Sequence, residues 1–274
     1  MIQEDNPWRG PLRGTEAVVN RREFSAICAG AAFSPMVSEA CGTKSSGTEA
    51  RNVVLVHGLF ADGSSWSAVI ARLQASGLNV TSVQNPLTTL PEAVAAVHRV
   101  LERQDGPTVL AGHSFSGMII TEAGVHPKVS ALVYVAARAP DANEDYAALA
   151  GKFPAPPASS GIVFDGDEGR LSEAAFLRDF APDLPKAKAR ELFAVQWPFR
   201  KALLAGRALH AAWRSKASFY AVSTEDRVID ADLQRFMAMR MAAKVIELKA
   251  SHVSLISHPE AIAALILQAA RRRP

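Results

Sequence analysis

Residues 108 to 117 read Thr-Val-Leu-Ala-Gly-His-Ser-Phe-Ser-Gly, an apolar, β-branched run that breaks at a serine and continues into helix-forming sequence. A strand that turns sharply into a helix lifts Ser114 onto the helix N-terminus, where backbone N–H groups and the helix dipole stabilise negative charge. Small residues two before and two after such a serine are a steric need, since bulk would push strand and helix apart. Here they are Gly112 and Ser116. The usual pattern has glycine at the second place, so Ser116 is a departure, though a small one.

A serine hydroxyl is a weak nucleophile until a base takes its proton and a carboxylate orients that base. In the chain order Ser, acid, His, the acid is expected after a late strand and the histidine after the last one. Phe219 to Asp226 ends one apolar run in two carboxylates, and Val245 to His252 ends the last in a histidine. Asp226 is favoured over Glu225 because it lies one residue further into the loop; Asp230 reads as a helix cap. Of seven histidines, His252 alone has the placement of a base. His57 and His113 flank strand ends beside glycines and read as backbone-orienting, His98, His126 and His210 as helical surface residues, and His258, before Pro259, as a helix start. Two N–H donors are needed for the developing oxyanion. They are expected from Phe115, after the serine, and from Leu59, in the loop Val56-His57-Gly58-Leu59-Phe60, where Gly58 lets the backbone turn its amide inward.

These positions call for a parallel sheet. Apolar runs at 52–56, 79–83, 108–111, 130–136, 218–223 and 244–248 alternate with helical patterns at 65–76, 91–104, 115–126, 231–241 and 258–273. Continuous Val/Leu/Ile runs separated by helices of ten or more residues predict a doubly wound, mostly parallel α/β domain over residues 51–274. One segment, about 138–216, breaks the alternation. It is rich in Pro and Ala, carries two or three helical stretches with Phe176, Phe180, Phe193, Trp197 and Phe199, and is expected to form a helical lid above the carboxyl ends of the strands. The pocket is expected to be lined by Gly58, Leu59, Phe60, Phe115, Trp197 and Val253.

The first fifty residues read differently. Arg21-Arg22 precedes a weakly apolar stretch from Ser25 to Val37, then Ser38 to Gly42 and a Ser/Thr/Gly-rich linker. This resembles a twin-arginine export signal with cleavage or lipidation near Ala40 or Cys41, giving a periplasmic enzyme; the other reading is a disordered tail on a cytoplasmic one. Both cysteines, Cys28 and Cys41, fall in this leader. The domain beyond can therefore hold no disulfide, cysteine nucleophile or cysteine metal site. With 274 residues, 49% hydrophobic and a net charge of +3 without a basic stripe, the chain is a one-domain protein with no membrane span. Nucleic acid is excluded as a partner by the same charge pattern. No metal-ligand spacing and no nucleotide fingerprint are present, so no cofactor is expected, and the oligomeric state is left open.

From Asn52 onward the chain resembles the α/β-hydrolases of the plant methyl-ester esterase and hydroxynitrile lyase group, together with uncharacterised bacterial relatives. The resemblance rests on Val56 to Trp66, the turn at Ser114, Ser223 to Asp226 and Ser251-His252, with Gln84 to Leu87 and Asp183 to Pro185 shared with the bacterial relatives. It implies a Ser114-His252-Asp226 serine esterase acting through an acyl-enzyme on a small to medium, largely apolar carboxylic ester. A lyase or perhydrolase on the same scaffold, or a catalytically silent small-molecule receptor, are the alternatives. The lyases look to need Lys after the His and Thr after the His of the first loop. Val253 and Gly58 stand there, which disfavours cyanide chemistry.

Overall fold

The computed structural model describes residues Glu49–Arg271; the leader, with Arg21, Arg22, Cys28 and Cys41, lies outside the described residues, as do Arg272 and Arg273. Strands β1 (Asn52–Val56), β2 (Asn79–Val83), β3 (Thr108–His113) and β4 (Val129–Val135) alternate with helices α1 (Ser67–Ala75), α2 (Leu90–Glu102) and α3 (Ser116–Ala123). After the intervening segment, β8 (Ala217–Ser223), α8 (Ala231–Arg240), β9 (Lys244–Leu248), α9 (Ser254–Ser257) and α10 (Pro259–Ala269) complete the pattern. The sheet order is β2-β1-β3-β4-β8-β9, and every pairing in it is parallel. The anticipated doubly wound α/β sheet is thus the observed one.

Burial explains the composition of each strand. Every residue of β1 and β3 is buried, because helices cover both faces of a central parallel strand. The edge strands β2 and β9 are largely half-exposed, and they carry the polar residues Asn79, Thr81, Ser82, Lys244 and Glu247. Helix α2 begins at a reciprocal cap in which the Glu92 N–H donates to Thr89 Oγ1 and the Thr89 hydroxyl donates back to the Glu92 carboxylate at 2.9 Å. It buries Leu90, Ala93, Ala96, Val97 and Leu101. Helix α3 is buried nearly all round, which fits its apolar Met118-Ile119-Ile120. Where one helix was expected over 65–76, a 3-10 turn at Gly63–Trp66, capped by Asp62, leads into α1. No helix among the described residues is long and apolar enough to cross a membrane.

The segment 138–216 holds helices, as expected, and also a small sheet. It runs through α4 (Tyr146–Ala150), β5 (Ile162–Asp165), β6 (Glu168–Leu171), α5 (Glu173–Ala175), a π-helical turn at Phe176–Phe180, α6 (Lys186–Ala194), β7 (Phe199–Arg200) and α7 (Lys201–Leu204). Strands β5, β6 and β7 form an antiparallel sheet. These strands are too short and too exposed to leave a periodic signal in the sequence. Phe176, Phe180 and Phe199 of the segment join the main core, with Phe193 packed against it, rather than forming a separate one. Phe60 packs edge-on to Phe180 and Phe199, at ring distances of 5.9 and 5.7 Å.

Candidate active site

Because the strands are parallel, β1, β3, β8 and β9 present their carboxyl ends to one edge of the sheet, and the loops that leave them meet there. Ser114 follows β3 at φ +58°, a left-handed conformation that costs a non-glycine residue of order 1–3 kcal/mol. The turn is held by three backbone bonds. The Ser114 N–H donates to Val135 O at 3.1 Å, and the Ser114 carbonyl accepts from Gly117 at 3.1 Å and Arg138 at 2.9 Å. The steric reading holds at Gly112, and Gly117, next to Ser116, is as tightly enclosed. A Cβ at Gly112 would stand 2.8 Å from Ser116 O, and one at Gly117 would meet Arg138 O at 1.9 Å. Ser116 uses its departure from glycine: its hydroxyl donates to the carbonyl of His57, tying the turn to the loop after β1.

The structure brings Ser114, His252 and Asp226 together. His252 Nε2 lies 2.7 Å from Ser114 Oγ, and His252 Nδ1 lies 2.7 Å from Asp226 Oδ2. A carboxylate can only accept, so Nδ1 carries the proton and Nε2 offers its lone pair to the serine hydroxyl. Both the His252 and Asp226 side chains are completely buried. Asp226 is itself held: Oδ1 accepts from the N–H groups of Val228 at 2.7 Å and Ile229 at 3.0 Å, and Oδ2 from Gln234 Nε2 at 2.8 Å. Glu225 faces outward, 3.7 Å from Lys249 Nζ.

Four supporting residues were given no role by the sequence reading, although Asn85 and Asp183 stand in the two motifs shared with the bacterial relatives. Gln234, fully buried on α8, donates to Asp226 and to Ile229 O and accepts from the Ser223 N–H. Asp183, from the inserted segment, accepts from the Ser251 hydroxyl and, at 3.0 Å, from the Ser251 N–H, bracing the loop that carries His252. Asp179, also from that segment and fully buried, takes ion pairs from Arg178 at 2.7 Å and from Arg227, beside Asp226, at 2.8 Å. The Arg178 hydrogen bond, joined by that of Arg227, holds its carboxyl below the usual range. Asn85 donates its backbone N–H to His57 Nε2 at 3.2 Å and its side-chain amide to His57 O at 3.0 Å, so His57 Nδ1–H points to Gly58 O at 3.0 Å. A buried polar residue at helical or loop spacing carries no mark in sequence of the partner it will meet.

His57 and His113 do orient backbone. His113 donates Nε2–H to the carbonyl of His252 at 2.9 Å, and burial pushes its pKa well below the usual histidine value; burial likewise lowers that of His57. Gly58 has a reason other than the inward turn expected of it. A Cβ there would stand 2.6 Å from Ser114 Cβ, so only glycine allows this close approach of the loop to Ser114. Among the described residues, neither the Leu59 nor the Phe115 backbone N–H has an acceptor.

Ser114 opens on a cavity of about 90 Å³ whose walls include Leu59, Phe60, Phe115, Ile162, Phe199 and Leu204. Arg138, Ser159, Leu204, Val228 and Ile229 are shared with a larger cavity of about 590 Å³ that reaches Tyr146, Pro154 and Arg207. Three expected pocket residues line neither cavity: Gly58 is packed against Ser114 and His113, and the other two are elsewhere. Trp197 is 66% exposed and lines neither cavity, and Val253 is buried beside His113, Phe180 and Leu255. Trp197 lies in the turn between α6 and β7, so its position depended on a tertiary arrangement that aromatic content alone does not give. Among the described residues, no three His, Cys, Asp or Glu side chains are grouped to hold a metal ion.

A strand-turn-helix serine, a histidine after the last strand and a carboxylate after the strand beside it, on a parallel six-stranded sheet, define a class. The chain belongs to the alpha/beta hydrolase family, whose model matches residues 53–265. It is 27% identical to Methylesterase 7 of Arabidopsis thaliana over 251 residues, covering 80% of this chain and 96% of that protein. The fold is shared with polyneuridine aldehyde esterase, at a TM-score of 0.69 and 20% identity over 80% of this chain and 99% of that one. It is also shared with a pyrethroid hydrolase from Sphingobium faniae JZ-2, at a TM-score of 0.68 and 22% identity over 81% of this chain and 98% of that one.

Proposed function

We propose that this chain is a serine carboxylic ester hydrolase. The observation that carries the reading is the unbroken hydrogen-bonded sequence from Asp226 through His252 to Ser114, each bond 2.7 Å long, at the floor of a cavity. In this reading Ser114 Oγ attacks the ester carbonyl carbon while His252 Nε2 takes its proton. The oxyanion that forms is received by the free N–H groups of Leu59 and Phe115, at about 3 kcal/mol per donor. His252 then protonates the departing alcohol, leaving an acyl group on Ser114. Water, deprotonated by the same His252, attacks that acyl group and releases the acid. Asp226 keeps the imidazole in the tautomer this requires.

The name of Methylesterase 7 supports an ester as substrate class. The walls formed by Phe60, Ile162, Phe199 and Leu204 support an apolar body of small to medium size. Ile162, Phe199 and Leu204 come from the segment 138–216, which in this reading acts as the lid that excludes water. Hydrolysis of 4-nitrophenyl esters of increasing chain length tests the proposal. Turnover should be greatest for short to medium acyl chains and should vanish in Ser114→Ala, together with labelling by a fluorophosphonate. Labelling that persists in Ser114→Ala, or a folded wild type inert to every ester, overturns it.

A further inference from the structure

Arg138 lies three residues beyond β4, and its backbone N–H donates to the carbonyl of Ser114. Its guanidinium stands 5.0 Å from the centre of the Phe115 ring and 4.5 Å from that of Tyr146, on the wall shared by the two cavities. Among the described residues it has no hydrogen-bond acceptor and no carboxylate partner. The two acids on the larger cavity's wall are engaged elsewhere: Asp145 pairs with Arg207 at 2.7 Å and caps α4, while Asp230 caps α8. The side chain is half-buried and its guanidinium faces the cavity with no anion from the protein, which leaves its charge free to pair with one brought by a ligand. Burial lowers its pKa, yet a guanidinium stays charged at any physiological pH. Stacking on two rings fixes the position of the guanidinium without neutralising it.

We propose that Arg138 is a specificity-determining residue that receives an ionised carboxylate of the substrate, making the preferred ester the half-ester of a small dicarboxylic acid. The inference rests on the ester hydrolase reading above. The guanidinium fork matches a carboxylate bidentately, which neither a hydroxyl nor an amide can do. The Tyr146 hydroxyl, its pKa pushed up to about 12 by burial, stays protonated and faces the same cavity as a second donor. The scissile ester then sits at Ser114 and the far carboxylate at Arg138, with methylenes between them against Phe199 and Leu204.

The probes are mono-4-nitrophenyl glutarate and its carboxamide counterpart, which has the same shape and no charge. Wild type should favour the carboxylate in kcat/KM by about tenfold or more, mainly through KM. Arg138→Met and Arg138→Gln should bring the ratio of the two substrates near one, and Arg138→Lys, which keeps the charge, should retain part of the preference. Equal rates on the two esters in wild type, or a preference unchanged in the neutral variants, overturn the role of Arg138. Binding keeps this claim separate from the ester hydrolase reading. Calorimetry with monomethyl glutarate on Ser114→Ala, with and without Arg138→Met, requires no turnover. Weaker binding on removal of Arg138 supports the anion site even where no ester is cleaved, and equal binding overturns it.

Discussion

Asp226 and Glu225 are neighbours in the chain and opposites in environment. The Asp226 side chain is completely buried and receives four hydrogen bonds, one of them from His252, whereas Glu225 lies at the surface near Lys249. Asp226→Asn keeps the shape but replaces an acceptor by an amide that can donate, which favours the wrong imidazole tautomer. It should lower kcat by about 10⁴. Glu225→Gln touches nothing in the cavity, so its kcat should stay within about twofold of wild type, since exposed ion pairs contribute little. Steady-state kinetics on one short 4-nitrophenyl ester rank the two variants, and the reverse order would remove Asp226 from the proposed mechanism.

At the scale of elements, helix α8 does more than cover β8. Its N-terminal turn is capped by Asp230, and its second turn places Gln234 between the end of β8 and the loop that carries Asp226. Gln234→Met fills the same volume and removes three hydrogen bonds. The Ser223 N–H is then left unsatisfied, at about 1–3 kcal/mol, and Asp226 loses a donor. Loss of one bond to a charged group implies a fall in kcat of about 10- to 100-fold, with KM little changed because Gln234 lines neither cavity. A fall in KM and kcat together would mean that the cavity, not the orientation of Asp226, had changed. The inserted segment is fastened to the same loops through Asp179 and Asp183, so the elements that wall the cavity also position His252.

For the whole molecule, the buried neutral histidines set the response to acid. His57 and His113 both have folded-state pKa values lowered by burial, His113 strongly, from an ordinary 6.5. Above 6.5 both are neutral whether folded or not, so they add no pH dependence. Below 6.5 the unfolded chain binds protons that the folded one refuses, and stability falls with pH by up to about 1.4 kcal/mol per unit for each histidine. The paired carboxylates, whose pKa values are lowered from 3.8 or 4.5, add their losses only at lower pH. Thermal melting followed from pH 7.5 to 5 should therefore show Tm falling from about 6.5 downward, with a shallower slope in His113→Asn. An unchanged slope in that variant would mean that His113 titrates in the folded state.

Alternation of apolar runs with helical patterns determines a parallel sheet, because only burial on both faces accounts for wholly apolar strands such as Val53 to Val56. The turn at Ser114 was legible for a related reason: strand, serine and helix are contiguous, and the glycine at 112 reports a local clash. His252 and Asp226 were legible from their order after successive strands. Where partners come from distant segments, the tertiary structure alone decided. Gln234 is an ordinary polar residue until the fold sets it against Asp226, and Asp183 and Asn85, though they stand in motifs the sequence shows, acquire partners in Ser251 and His57 only in the fold. Trp197 promised a pocket by its type and stands in solvent, while Arg138 carried no signal and lies on the cavity wall. The physical reason is range. Periodicity and turn sterics act over a few residues, whereas the walls of the cavity are chosen by packing between chain segments up to about 170 residues apart, from Leu59 to Ile229.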